Sequence, residues 1–202
     1  KELTQYISRI FNSKIKDLYV IDNINNIVVI FTIEEFNKQE IMNLSKNIIS
    51  KITLKYPRLK IKIGISKECA SLKYIPDAYK EAVYSHNIGS IKEKSNIFFY
   101  DDYLAYHMIS NISDNDIVKK LYRNIINKIK RESNNSEELI KTLRYLSKND
   151  FNMKKTAEDL YIHRNTLYKR TEKIEKITGY DISDSETKLI FKMIIKLDEI
   201  ID

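Results

Sequence analysis

Apolar residues in this chain change their spacing once, near Asp102, and that change constrains the fold more than any other feature. Before it, runs of β-branched residues alternate with helical repeats; after it, every apolar pattern keeps a period near 3.6. Residues 2–12 read as an amphipathic helix with Leu3, Tyr6, Ile7, Ile10 and Phe11 on one side. Leu18-Tyr-Val-Ile21 and Ile27-Val-Val-Ile-Phe-Thr-Ile33 read as strands. The Asp22–Asn26 stretch between them reads as a hairpin turn, because Asn and Asp tolerate left-handed backbone angles and bond their own main chain. A helix over 38–56 carries Ile41, Leu44, Ile48, Ile49 and Ile52 and stops before Pro57. Leu59-Lys-Ile-Lys-Ile-Gly-Ile65 alternates strictly, as a half-buried strand does, a helix starts at Pro76 and runs through Tyr84, and Ile97–Tyr100 is a short last strand. The order α-β-β-α-β-α-β predicts an α/β sandwich with its helices on one sheet.

Beyond Asp102, residues 116–131 predict one basic amphipathic helix, and Ser133-Asn-Asn-Ser136, polar and without an apolar anchor, reads as a linker. Four further helices are predicted at about 137–149, 153–161, 163–178 and 185–201. The class is therefore α+β in three parts: an α/β domain over 1–103, a helical connector and linker over 104–136, and an all-α domain over 137–202. With 3 Gly and 2 Pro among 202 residues, 43% of them hydrophobic, the chain is expected to be ordered and poor in loops.

Charge and cysteine use narrow the function. The formal charge of +7 favours a polyanionic partner, although a basic face is as readily a solvated one. Cys69, alone, excludes an internal disulfide and a cysteine metal site; it fits a reducing compartment and is expected to be a small buried residue. No apolar run approaches the roughly 20 residues that cross a bilayer, and the first residues carry no signal-peptide pattern; the expectation is a cytoplasmic protein without a membrane partner. The chain starts at Lys1 in a helical pattern and is expected to be part of something longer, with an upstream sensor domain for a small-molecule inducer outside this fragment. His86, His107 and His163 stand too far apart in sequence for one site, and the Ser85-His86 pair has no orienting acid. No catalytic residue, metal site or cofactor is expected, and the 14 tyrosines read as core.

The segment 152–178 has the layout of a helix-turn-helix. Ala157 falls where two helices would cross, and Leu160, Ile162, Leu167 and Ile174 would form the apolar seam between them, with Asn152 capping the first helix. The outward face of the second helix carries Arg164, Asn165, Tyr168, Lys169 and Lys173. In this motif the start of the second helix enters the major groove, where Arg bonds guanine and Asn adenine, while flanking cations neutralise phosphates. Arg164, Asn165 and Tyr168 are the candidate base readers; Lys154, Lys155, Thr166, Lys169 and Lys173 are the candidate DNA-backbone contacts. Spacing alone also fits an ordinary αα-hairpin, since Tyr161 stands where such turns usually carry glycine.

Thr156-Ala-Glu-Asp-Leu-Tyr-Ile-His-Arg-Asn-Thr-Leu167, followed by Arg170, Lys173-Ile-Glu175 and Thr178-Gly179, closely resembles the C-terminal DNA-binding domain of PucR/CdaR-type transcription regulators. The resemblance spans about 137–200. It implies a sequence-specific regulator, of a catabolic operon, that binds double-stranded DNA as a homodimer or higher homo-oligomer.

The α-β-β-α-β-α-β order also resembles the GGDEF domain of diguanylate cyclases, a degenerate form of which precedes the DNA-binding domain in many such regulators. That likeness puts the first strand of the domain upstream of Lys1. Where the cyclases carry their Gly-Gly-Asp-Glu-Phe turn, this chain has Asn23, Ile24, Asn25 and Asn26, without the glycines that admit a phosphate or the carboxylates that hold Mg²⁺. Lys14 stands where the inhibitory product-binding motif has Arg, and it lacks the bidentate fork. Asp22 reads as a turn residue and Asp101-Asp102 as a surface helix cap. The resemblance thus implies an inactive cyclase-like domain that serves dimerisation or signal relay; the alternatives are a cyclic-dinucleotide sensor or a protein-interaction scaffold.

Overall fold

The structure, a computed structural model, describes residues 2–11, 15, 17–24 and 26–201. Lys14 and Asn25, two positions of the cyclase comparison, lie outside the described residues. The chain divides into two units, Lys1–Leu104 and Ala105–Asp202.

In the first unit, helix α1 (Glu2–Phe11) buries Ile7 and Phe11 in one cluster with Ile48 and Ile52 of α2 (Lys38–Lys55). Asn37 caps α2, its side-chain oxygen accepting the Gln39 and Glu40 N–H groups. Strands β1 (Leu18–Asn23) and β2 (Asn26–Phe31) pair antiparallel from Leu18↔Phe31 to Asn23↔Asn26. Leu18, Val20, Ile27, Val29 and Phe31 join the α1–α2 cluster, and the alternate residues Tyr19 and Ile21 face solvent, as the two-residue strand period requires. The ladder runs further than the sequence suggested: Asp22 belongs to β1 rather than to the turn. Asn23 and Asn26 hold the narrowed tip, each amide donating to the Tyr79 hydroxyl, at 3.1 and 3.4 Å.

Strands β3 (Ile63–Ile65) and β4 (Ile97–Phe99) are parallel and joined through α3 (Ile75–Lys92). Close approach of α3 to this pair depends on two glycines: a Cβ on Gly64 would lie 2.0 Å from the Ala82 carbonyl, and one on Gly89 would lie 2.1 Å from the Phe98 ring. The single sheet expected from the sequence is corrected. Among the described residues the strands form two separate two-stranded sheets, and Leu59–Lys62 are not strand, because a strand persists only where a neighbour takes its hydrogen bonds. An unpredicted helix, α4 (Tyr100–Ile112), follows β4 directly. Asp101 and Asp102 lie in its first turn, where the helix dipole favours acids, and pair with Lys67 (3.0 Å) and Lys38 (2.6 Å).

In the second unit, α5 (Asp116–Tyr122), a π-helical stretch Arg123–Asn127 and α6 (Lys128–Glu132) run on without a break. The sequence suggested a uniform α-helix here. A wider π turn brings adjacent Ile125 and Ile126 inward together, and both are fully buried with Ile129. After the short link 133–135 come α7 (Ser136–Lys148), α8 (Met153–Asp159), α9 (Arg164–Thr178) and α10 (Ser185–Ile201). Their shared core includes Leu139, Leu143, Leu146, Ile174, Phe191 and Ile194 together with the three isoleucines of α5–α6. Much of the stretch 104–136, read as connector and linker, therefore packs into the same core as the helix-turn-helix. Asp198 of α10, with no exposed surface, accepts from Arg144 Nη2 at 2.7 Å and from the Tyr122 hydroxyl at 2.8 Å.

Two residue-level expectations change. Cys69 is exposed, not buried. Tyr100, Tyr103 and Tyr106 are core, but Tyr19, Tyr74, Tyr161 and Tyr168 are exposed. Among the described residues no helix is long and apolar enough to cross a membrane.

Candidate nucleic-acid interface

Helices α8 and α9 are built by local chemistry that fixes where each begins and ends. The Asn152 side chain caps α8 by accepting the Lys155 N–H at 3.0 Å. The end of α8 is a Schellman motif: Tyr161 N–H bonds the Glu158 carbonyl and Ile162 N–H the Ala157 carbonyl, with Tyr161 left-handed at φ 55°. His163 then caps α9, its Nδ1 accepting the Asn165 N–H at 3.2 Å. At the other end Gly179, at φ 79°, closes α9.

Between the two helices, Ala157 is 4% exposed and Leu167 and Ile174 are fully buried, while Leu160 and Ile162 are half-buried. This is the apolar seam the spacing pointed to. Three polar ties hold the two helices to their surroundings. Arg170 Nη2 on α9 donates to Glu138 Oε2 at 2.6 Å and Nη1 to the Thr142 hydroxyl at 3.4 Å, both on α7. Asn149 donates to Asp159 at 2.9 Å, and Glu175 accepts the Ile182 N–H at 2.9 Å. Arg170, although on α9, is thus engaged inward. Nothing in the sequence pattern marked Arg170 or His163 for these tasks, because Glu138 is distant in sequence and histidine is not a common cap.

The candidate contacts all lie on the outside. Arg164, Asn165, Thr166, Tyr168, Lys169 and Lys173 are exposed on α9, and Lys154 and Lys155 on the first turn of α8. Asn165, Lys169 and Lys173 recur every four residues and share one stripe, with Arg164 and Tyr168 on the adjacent one. Among the described residues none of these cations is held in an ion pair. A cleft of about 400 Å³ at the elbow is bordered by Lys154, Tyr161, His163 and Arg164, floored by Ala157 and Ile162, and edged by one acid, Glu158. The surroundings of the motif carry carboxylates held low by their donors. Lys192 bonds Asp150 and lowers its pKa, and the Thr187 N–H does the same for Asp184 at the start of α10.

Residues 139–197 match the PucR C-terminal helix-turn-helix domain. Over 144 residues the chain is 25% identical to the purine catabolism regulatory protein of Bacillus subtilis, covering 70% of this chain and 27% of that protein. It is 26% identical over 196 residues to the proline-responsive transcriptional activator PutR of the same organism, covering 93% of this chain and 47% of the relative. With the carbohydrate diacid regulator of Escherichia coli the identity is 23% over 202 residues, covering 98% and 52%. The chain thus spans from about a quarter to about half the length of these relatives. The elbow, the seam and the outward basic helix thus fall within the stretch that matches the PucR C-terminal helix-turn-helix domain, and the chain is similar to the PucR/CdaR-type transcription regulators.

Proposed function

We propose that this chain is the DNA-binding part of a cytoplasmic transcription regulator of a catabolic operon, not an enzyme. The observation that carries the reading is the division of α9: Leu167 and Ile174 are fully buried, while Arg164, Asn165, Tyr168, Lys169 and Lys173 stand in solvent. Arg164, Asn165 and Tyr168 read base edges in the major groove. Lys154, Lys155, Thr166, Lys169 and Lys173 hold the phosphates on either side. Residues 137–202 are the DNA-binding domain in this reading, supported from below by the 104–136 helices. A single motif of this kind covers only a few base pairs, so the protein acts as a homodimer or higher oligomer on repeated half-sites. An upstream domain of the whole protein senses the inducer.

Residues 1–103 serve dimerisation or signal relay as a cyclase-like domain without cyclase chemistry. What supports this is the hairpin tip, where the Asn23 and Asn26 amides bond the Tyr79 hydroxyl, and the pairing of Asp101 and Asp102 with lysines.

The test is binding of the purified protein to a selected operator and to scrambled DNA over a salt series. Arg164→Ala and Asn165→Ala should each remove roughly 1–3 kcal/mol of discrimination and leave the circular dichroism unchanged. Lys169→Ala and Lys173→Ala should weaken all sequences alike and lower the salt slope by about one each. A double Arg164/Asn165 variant that keeps the full operator preference would refute the assignment of the reading face.

A further inference from the structure

Among the described residues of the second unit, three that are not glycine have positive φ: Asp150 (52°), Phe151 (60°) and Tyr161 (55°). For an L-residue with a Cβ this conformation is strained, and the surroundings normally offset it. For the first two the offset is visible. Phe151 is buried and stacks on Phe191, with ring centroids 6.5 Å apart, and Asp150 is bonded by Lys192 at 2.5 Å. Tyr161 has no such compensation. Its backbone closes the Schellman turn, a task glycine performs without strain, while its side chain is 96% exposed. A large aromatic ring there adds nothing to the packing of the elbow.

The ring stands instead at the mouth of the elbow cleft with Lys154, His163 and Arg164. Lys154 and Arg164 come from the two helix starts that face DNA in a helix-turn-helix. The geometry points to Tyr161 as a further DNA contact: its phenol donates to a backbone phosphodiester at the rim of the groove, beside the Lys154 ammonium. This inference rests on the DNA-binding reading above. Tyrosine hydroxyls are ordinary donors to DNA phosphates, and a neutral donor to a charged acceptor makes one of the stronger hydrogen bonds. Glu158, one helical turn after Lys154, is the one acid lining the cleft, among three cationic or imidazole side chains, Lys154, His163 and Arg164.

Because a phosphate contact is independent of sequence, the probe is a mixed-sequence DNA duplex, with binding followed by fluorescence anisotropy over a salt series. Tyr161→Phe, which keeps the ring and the strained backbone, should weaken binding about tenfold. Its salt slope should stay unchanged, since a phenol displaces no counterion. Tyr161→Gly should weaken binding at least as much and at the same time raise the thermal midpoint by about 4 °C, because the backbone strain is relieved. Lys154→Ala should differ from both by lowering the slope by about one. Opposite signs for stability and affinity in Tyr161→Gly separate a DNA contact from a structural residue, whose loss would lower both. Wild-type affinity in both tyrosine variants overturns the inference and leaves the exposed ring to a protein partner. If the wild type fails to bind the duplex even at low salt, the DNA-binding reading itself falls.

Discussion

The core of the second unit and the cluster under the hairpin of the first bury their apolar residues to different depths. In the second, Ile125, Ile126, Ile129, Leu143, Leu146, Ile174 and Phe191 are all fully buried, and they belong to one cluster. In the first, the cluster under the hairpin has, among the described residues, Ile7, Phe11, Ile48 and Ile52 as its buried members, and the outer face of the hairpin leaves Tyr19 61% and Ile21 49% exposed. A helix needs one covered stripe, whereas an apolar two-stranded ribbon needs both faces covered, and two strands alone are marginal in water. The stability available to hold a DNA-reading surface rigid is therefore concentrated in the second unit.

Side-chain truncation tests that contrast most strongly. Leu143→Ala should cost about 4 kcal/mol in urea unfolding, because a fully enclosed cavity cannot collapse. Ile52→Ala, beneath the hairpin, should cost about 2 kcal/mol, since its half-buried neighbours can move in. Equal losses would break the comparison. Arg144→Met comes next. It strips the guanidinium from Asp198, which has no exposed surface, and should destabilise the second unit by about 3 kcal/mol. The Tyr122 hydroxyl remains on the carboxylate and limits the loss.

Local signals were readable in the sequence and distant ones were not. Asn152 as a cap, the Ala157–Ile174 seam and the exposed stripe of α9 each follow from spacings within a few turns of helix. The division of β1–β2 from β3–β4 depends on which strand edges meet, and no spacing in Leu59–Ile65 records that only its last three residues find a partner. Helix α4 is not legible in the sequence although Tyr100, Tyr103, Tyr106 and Ile109 recur every three residues, because a tyrosine does not declare which side it takes. Of those four every one is buried, while Tyr168 and Tyr161 are not. The inward turn of Arg170 was hidden for the same reason: its partner Glu138 lies a helix and two turns away.

A smaller effect should come from the start of the recognition helix. His163→Ala removes the acceptor of the Asn165 N–H and should cost about 1 kcal/mol. Because that N–H belongs to a candidate base reader, the operator preference should fall more than the mixed-sequence affinity does. His163→Asn, which restores a cap oxygen, should recover the stability. If Ala and Asn behave alike, the cap adds nothing and the rigidity of α9 comes from its seam alone.

The smallest expected effect is the pH dependence of the turn before α8. Lys192 holds the Asp150 carboxyl below the ordinary carboxylate range, chiefly by a side-chain hydrogen bond and secondly by its charge. A carboxylate with a depressed pKa in the folded state stabilises that state above its unfolded pKa, near 4, and this stabilisation is lost as the pH falls through the folded value. Lys192→Ala should therefore lower the second unit's stability slightly at pH 7 and leave it unaltered at pH 2, so that the wild-type and variant curves converge on the acid side. Both groups are open to solvent, so the pH 7 difference should shrink in high salt. Asp150 also sits in the left-handed conformation, and Asp150→Gly would lose the ion pair but relieve the backbone. If Asp150→Gly is as stable as the wild type at pH 7 and more stable at pH 2, the ion pair offsets the strain of the turn; if it is less stable at both, the turn depends on the aspartate for something other than its charge.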